Sequence, residues 1–236
     1  GCRLLAVFDN NIDLEPPFPD VPLFYLQEGF ERWLSSRDMQ SLLGFVVAMG
    51  GARGKDRLHI ADYLISFGLQ PISFIHPWTS VCSNVVLGDG VQIMAGACIS
   101  ARVRIGDQAI VNHMANVDHE CILGRGVHIA PGATLAGCVT VQDRVMIGAG
   151  ATILLNLTIE EDVIVGAGAV VTKDVDAGSV VIGVPARRKQ VGILALLNII
   201  YFHLIIIVYK LLTHGNVVEI CRTINHPYFT KSSSHN

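Results

Sequence analysis

The chain has 236 residues, which is enough for one large domain or two small ones. Its net charge of −3 and its pI of about 6.3 exclude the basic surface that nucleic-acid binding requires. The six cysteines form no CxxC pair and show no zinc-ligand spacing, so we expect no metal site. Scattered thiols and the lack of a recognisable signal peptide at the start predict a cytoplasmic protein.

Residues 1–73 alternate between short apolar runs and helical patterns. Arg3–Phe8 and Gly44–Met49 have the composition of buried strands, and Asp56–Phe67 has apolar residues at helical spacing. Gly29–Leu43 is mixed, and we expect it to be helical, while Ile72–Ile75 reads as a further strand. This order predicts a small parallel sheet with helices, as in an α/β domain.

Three polar or small residues follow the first two predicted strands. Asp9 and Asn10 come after one, and Gly50 comes after the next. Ligands of parallel α/β sheets bind beyond the carboxyl ends of the strands, so these residues are candidate substrate contacts; ordinary turn residues are the alternative. No Gly-rich phosphate turn precedes the first strand, so we expect a Rossmann-like domain that lacks its first strand and loop.

The next hundred residues carry a strict six-residue period. Seventeen aliphatic residues stand in register: Ile75, Val81, Leu87, Ile93, Ile99, Ile105, Val111, Val117, Leu123, Ile129, Leu135, Val141, Ile147, Ile153, Ile159, Val165 and Val171. A period of six fits neither an isolated helix nor a flat strand, but it fits a solenoid of short strands. Three hexads then complete one triangular coil, and residues eighteen apart stack.

Two further positions of the hexad support a coil. The fifth residue is Ser, Thr, Ala or Val everywhere except at Cys121 and Leu157, as expected for an inward side chain with little room. We expect Cys121 to act as a small buried hydrophobe. The second residue is often glycine, and we expect it to adopt turn conformations that other residues reach only with strain.

One stretch of the hexads is unusually rich in polar side chains. His119 occupies the third position, which points outward, and Glu120 adjoins it. Asn112 and His128 lie seven residues before and nine residues after, so we expect the four to gather at one level of the coil. An outward histidine beside a carboxylate is a candidate general base, whereas a solvated surface histidine is the alternative.

The composition changes abruptly after the coil. Residues 191–209 contain no charged residue and are mostly Ile, Leu and Val, nearly enough to cross a bilayer as a helix. Three interpretations stay open for residues 190–236: a membrane-attached helix, a helix packed on the end of the coil, or an appended segment foreign to the fold.

Several of these motifs resemble the sialic acid O-acetyltransferase and UDP-4-amino-sugar N-acetyltransferase family. The similarity lies in His119-Glu120-Cys121, in Gly124 and His128, in Ala130-Pro131-Gly132-Ala133, and in the closing Gly183-Val184-Pro185-Ala186-Arg187. It covers roughly residues 4–188. The resemblance implies a mainly β protein, with a left-handed parallel β-helix over residues 74–189 behind an α/β nucleotide-sugar-binding domain over residues 1–73.

The resemblance also implies roles for individual residues. His119 would be the general base toward acetyl-CoA and a sugar acceptor, Glu120 would raise its basicity, Asn112 would orient the site, and the Gly137 N–H would receive the oxyanion. Positions that contact acetyl-CoA would be His128, Gly137, Ala149 and Ala167. Asp9, Asn10 and Gly50 would contact the nucleotide-sugar. The site of this family lies between two chains of a homotrimer, so we expect a trimer.

Two other functions remain open at this point. One is metal-dependent hydration of the carbonic anhydrase type, which needs three converging imidazoles; the histidines of the coil lack the five-residue spacing of that class. The other is a catalytically impaired or non-catalytic trimeric scaffold, or a binding module tethered to a membrane through residues 191–209.

Overall fold

The computed structural model describes residues 2–37, 43–189, 206–211 and 217–218. The first part of the chain forms four strands and two helices. They are β1 (Cys2–Asp9), β2 (Leu23–Tyr25), α1 (Leu26–Ser35), β3 (Leu43–Val47), α2 (Gly54–Ser66) and β4 (Gln70–Pro71). The predicted α/β pattern is therefore confirmed, although β2 was not predicted and α1 ends earlier than expected.

The sheet of this small domain is mixed rather than parallel. Its strand order is β2-β1-β24-β3-β4, in which β24 is the segment Ile206–Leu211. This strand pairs antiparallel with both β1 and β3 and separates them. The prediction of an all-parallel sheet was wrong because a strand from the far end of the chain fills the place between β1 and β3.

The predicted hydrophobic helix over residues 191–209 is wrong for its last four residues, which belong to β24. Ile206, Ile207, Val208 and Tyr209 are β-branched or aromatic, types that favour strands. Residues 190–205 lie outside the described residues. No helix in the described ranges has both the length and the apolar character needed to cross a membrane.

The hexads form a regular coil of two- and three-residue strands. In chain order they are β5 (Ser73–Ile75), β6 (Ser80–Val81), β7 (Val86–Leu87), β8 (Gln92–Ile93), β9 (Cys98–Ile99), β10 (Arg104–Ile105), β11 (Ile110–Val111), β12 (Asn116–Val117), β13 (Ile122–Leu123), β14 (His128–Ile129), β15 (Thr134–Leu135), β16 (Thr140–Val141), β17 (Met146–Ile147), β18 (Thr152–Ile153), β19 (Thr158–Ile159), β20 (Ile164–Val165), β21 (Val170–Val171), β22 (Val180–Ile182) and β23 (Arg187–Arg188). Every third strand falls in the same sheet, and three sheets form the sides of the coil. A further strand, β25 (Val217–Val218), pairs with β5.

Residues eighteen apart pair between successive coils, as the period predicts. His128 pairs with Ile110 on one side and with Met146 on the other, in parallel register. The aliphatic first positions from Ile93 to Val171 are buried, and so are the small fifth positions, including Cys121. Burial raises the pKa of the Cys121 thiol to about 11, so it stays protonated and packs as a small apolar group.

The expected role of the second-position glycines was wrong. The positive φ angles of the coil fall at the fourth position, which is often not glycine, as at Gln108 (φ 56°) and Glu120 (φ 60°). Gly106, at a second position, is needed for a different reason. A Cβ placed on it would lie 2.8 Å from the backbone nitrogen of Arg125 in the next coil. Close stacking of coils, not turn geometry, excludes side chains there.

A buried arginine joins the small domain to the coil. Arg57 on α2 is 0% exposed, and burial lowers its pKa to about 10, so it remains charged at neutral pH. Its Nε donates to the Gln108 carbonyl at 2.6 Å, and Nη2 donates to the Gly126 carbonyl at 2.6 Å. Its Nη1 donates to the Met49 carbonyl at 2.7 Å. One guanidinium therefore ties the end of β3 to two successive coils.

We expect Arg57→Met to lower the free energy of unfolding by about 2–5 kcal/mol, because four buried carbonyls, including that of Val127, lose a charged donor. We expect that Arg57→Lys will not keep the full stability, since one ammonium cannot reproduce the planar fork of donors. Arg125→Met is the control: its surface ion pair with Asp107 should contribute less than about 1 kcal/mol. Urea unfolding of the three variants measures this, and equal losses for Arg57→Met and Arg125→Met would contradict the assignment.

Candidate active site

His119 lies at an exposed corner of the coil, held by its neighbours in sequence. Its Nδ1 is 3.0 Å from Glu120 Oε2, and its backbone N–H donates to Asp118 Oδ1 at 2.7 Å. Arg102, from the preceding coil, binds the other oxygen of Glu120 at 3.1 Å. The His119 side chain is 52% exposed, so the outward direction predicted from the third position is confirmed.

Gly137 lies directly against the imidazole of His119. A Cβ placed on Gly137 would stand 2.5 Å from His119 Nε2, so any side chain there would displace the ring. The φ of Gly137 is not positive, which means that the close approach and not the backbone conformation requires glycine. Among the described residues, the Gly137 N–H donates to no acceptor. The corner thus presents an imidazole nitrogen beside an unengaged backbone donor.

Asn112 and His128 form a second group at a different place. The side-chain nitrogen of Asn112 lies 3.2 Å from His128 Nε2, and the Gly51 N–H donates to His128 Nδ1 at 2.7 Å. Asn112 follows β11, whereas His119 follows β12 one side of the coil later. The two groups share no hydrogen bond within the described part of the chain. Our expectation that all four residues gather at one level of the coil stays a prediction.

His128 has the properties of a buried neutral histidine. It is 5% exposed, and burial, followed by the charge of Arg57, lowers its pKa to about 4. With both ring nitrogens in contact with hydrogen-bonding groups and no charge at neutral pH, it is not available as a proton acceptor. It holds the Gly50-Gly51 turn onto the coil, since the Gly50 Cα faces its ring.

An apolar groove of about 730 Å³ runs along the coil beside His128. Ala149 and Ala167 line it and stack eighteen residues apart, joined by the hydrogen bond from the Gly168 N–H to the Ala149 carbonyl. Gly50 lines the same groove. The structure therefore brings Gly50 together with the predicted acetyl-CoA contacts rather than with Asp9 and Asn10.

Asp9 and Asn10 line a separate pocket of about 340 Å³ at the end of β1. Asp9 is 1% exposed; its Oδ1 accepts from the Asn11 N–H at 2.7 Å, and its Oδ2 is buried without a hydrogen-bond partner among the described residues. Met49 and Arg53 line both this pocket and the groove. The two cavities therefore adjoin at the end of β3.

The sequence patterns did not reveal every residue of this site. Arg53 and Met49, which line both cavities, belong to no sequence motif that would have indicated this role. Arg57 carried one weak signal, an arginine within the helical pattern of Asp56–Phe67. Cys138, which adjoins the site without taking part in the proton transfer, stands eighteen residues after Glu120, so the period places it next to that carboxylate in the following coil.

A family model described as bacterial transferase hexapeptide (six repeats) matches residues 120–155. Among curated proteins, GDP-perosamine N-acetyltransferase of Escherichia coli O157:H7 is 37% identical over 98 residues, which are 42% of this chain and 44% of that protein. The chain spans about half the length, or less, of the curated relatives it matches.

Solved structures give a longer match. A mutant of perosamine N-acetyltransferase from Caulobacter crescentus, in complex with CoA and GDP-perosamine, is 35% identical with a TM-score of 0.69, covering 76% of this chain and 83% of that one. The acetyltransferase domain of PglB from Neisseria gonorrhoeae, in complex with acetyl coenzyme A, is 29% identical with a TM-score of 0.66, covering 76% and 84%. The chain belongs to the hexapeptide-repeat acyltransferase family.

Proposed function

We propose that the protein transfers the acetyl group of acetyl-CoA to the amine of a nucleotide-linked amino sugar. The observation that carries the proposal is the arrangement of His119, whose Nδ1 contacts Glu120 while Nε2 faces Gly137. Relatives whose solved structures hold CoA with GDP-perosamine, or acetyl-CoA, support the donor and the class of acceptor. Those relatives favour nitrogen over oxygen as the acetylated atom.

The chemistry follows from the two nitrogens of His119. The Nδ1–H of His119 donates a hydrogen bond to Glu120 Oε2, so the lone pair of the neutral ring is on Nε2. Nε2 takes the proton from the acceptor amine as that amine attacks the thioester carbon. The Gly137 N–H donates to the oxyanion of the tetrahedral intermediate. His119 then returns its proton to the departing thiolate of CoA.

The two cavities suit the two substrates. The groove beside His128, Ala149 and Ala167 is long and mostly apolar, as the pantetheine arm of CoA requires. The pocket at Asp9 has an acceptor, Oδ2, that a ribose or sugar hydroxyl would satisfy. Asn10 would contact the same substrate, while Gly50 would serve the donor side.

We further propose that the active unit is a homotrimer. The corner with His119 and the groove at His128 lie on different sides of one chain. A neighbouring copy that places its His119 corner against this groove would unite base and donor, and Asn112 would then orient the donor through His128. This arrangement is the one that the family resemblance implies.

The same resemblance supports three finer proposals on the fold. The coil is left-handed, the small domain with β1–β4 is Rossmann-like, and the domain boundary lies near residue 73. The relatives are acyltransferases, so they do not support the carbonic anhydrase alternative.

The test of function is the formation of acetylated sugar from acetyl-CoA and a panel of GDP- and UDP-linked amino sugars, followed by mass spectrometry. We expect His119→Ala to lower the rate by roughly 10²–10⁴, the usual contribution of a general base. His76→Ala is the matched control, since this histidine contacts Trp78 at the start of the coil. No product with any acceptor, or full activity in His119→Ala, would refute the proposal.

Gly137→Ala tests the second half of the site. The new Cβ would overlap the imidazole of His119, and the exposed ring would move away without unfolding the coil. We expect kcat to fall by about 10² or more, because a misplaced base loses its alignment, while the midpoint of thermal unfolding changes little. Unchanged kcat would show that Gly137 does not position or assist the base.

A further inference from the structure

A cysteine lies directly above the carboxylate of the proposed base pair. Cys138 and Glu120 occupy the same fourth position of hexads in successive coils, and both have φ of 60°. The Cys138 N–H donates to the His119 carbonyl at 2.9 Å, which fixes the stacking of the two coils at this corner. Cys138 Sγ lies 3.9 Å from Glu120 Oε2. The regular coil therefore holds the thiol beside the carboxylate.

Three different metal-ligand atoms converge at this corner. His119 Nδ1, Glu120 Oε2 and Cys138 Sγ all lie within 4.8 Å of one another. Bond lengths of about 2.0–2.3 Å to a tetrahedral zinc ion set its ligand atoms roughly 3.3–3.8 Å apart. The separations of 3.0 Å between His119 Nδ1 and Glu120 Oε2 and 3.9 Å between Glu120 Oε2 and the sulfur are close to this spacing.

The surrounding charges and the exposure of the corner permit a cation. The side chains of His119 and Glu120 are 52% and 39% exposed, so a hydrated ion can reach them. Arg102 binds Glu120 Oε1, whereas Oε2 faces His119 Nδ1 and Cys138 Sγ, the two atoms with which it would share a metal. The carboxylate of Asp118, which accepts from the His119 N–H, adds a second negative charge near the Arg102 guanidinium. Nitrogen, oxygen and sulfur together favour zinc over magnesium or calcium.

We propose that His119, Glu120 and Cys138 bind Zn²⁺ and that the bound ion switches off acetyl transfer. The metal would take the lone pair of Nδ1 and the thiolate of Cys138, whose proton leaves to solvent. The ring proton, which otherwise lies on Nδ1, then lies on Nε2. A ring protonated at Nε2 has no lone pair for the acceptor amine. The inhibitory half of this proposal rests on the proposed function; the binding half does not.

Binding is tested with Co²⁺ on the full chain, because cobalt occupies zinc sites and its bond to a thiolate absorbs in the near ultraviolet. We expect a saturable cobalt–thiolate band in the unaltered protein, displaced by Zn²⁺ and absent in Cys138→Ser. Cys98→Ser is the matched control, another half-buried cysteine of the coil, and should keep the band. A band that is missing in the unaltered protein, or that survives in Cys138→Ser, overturns the site.

Inhibition is tested by following acetylated sugar in the presence of Zn²⁺, with zinc in excess over CoA because free thiol also binds zinc. We expect Cys138→Ser to keep its activity without metal and to need roughly tenfold or more zinc for half-inhibition. Equal zinc sensitivity in Cys138→Ser and the unaltered protein overturns the switch. Absence of acetylation without zinc would instead refute the proposed function, and the cobalt band would still decide the site.

Discussion

The hydrogen bonds of one buried guanidinium set the geometry of the two cavities. Arg57 reaches the carbonyls of Met49, Gln108 and Gly126, so the end of β3 is tied to two coils. The Gly50-Gly51 turn follows Met49 directly and contacts His128. Because both cavities meet at Met49 and Arg53, the position of this turn sets how the pocket at Asp9 faces the groove beside His128. No carboxylate pairs with Arg57 in the described residues, and backbone carbonyls accept its hydrogen bonds.

The coil contributes a second constraint, which is the vertical stacking of equivalent positions. Stacking places Gly137 against the imidazole of His119 and Cys138 above Glu120. A ladder of parallel hydrogen bonds allows little sliding between coils, so the backbone positions that carry these side chains are held rigidly. The same rigidity keeps Asn112 and His128 one side away from His119. A reaction that needs both the His119 corner and the groove at His128 would therefore require a second chain. Together with the family resemblance, this is the reason that we propose a trimer.

Sequence patterns predicted those features that depend on local repetition. The aliphatic first positions, the small buried fifth positions and the outward direction of His119 all follow from a period of six, and the structure confirms them. Sequence patterns did not reveal the role of Arg57, because its partners include backbone carbonyls 51 and 69 residues away. Every residue type has a backbone carbonyl, so residue identities do not indicate such contacts. The prediction for Gly106 was wrong because the residue is needed for the short distance to the next coil. The sequence of a single hexad can indicate a turn, but it does not indicate the distance between coils.

Residue patterns were enough to establish that the chain coils, which side chains enter the core, and that His119 stands beside Glu120. These are properties of neighbouring residues or of a strict period, and hydrophobic burial enforces them locally. Contacts between distant segments place Ile206–Leu211 between β1 and β3. They also place Gly50 in the groove beside His128 rather than in the pocket at Asp9, and they bury His128 in its neutral form. Those outcomes depend on contacts between segments far apart in the chain, whose free energies are set by packing and desolvation rather than by any local pattern.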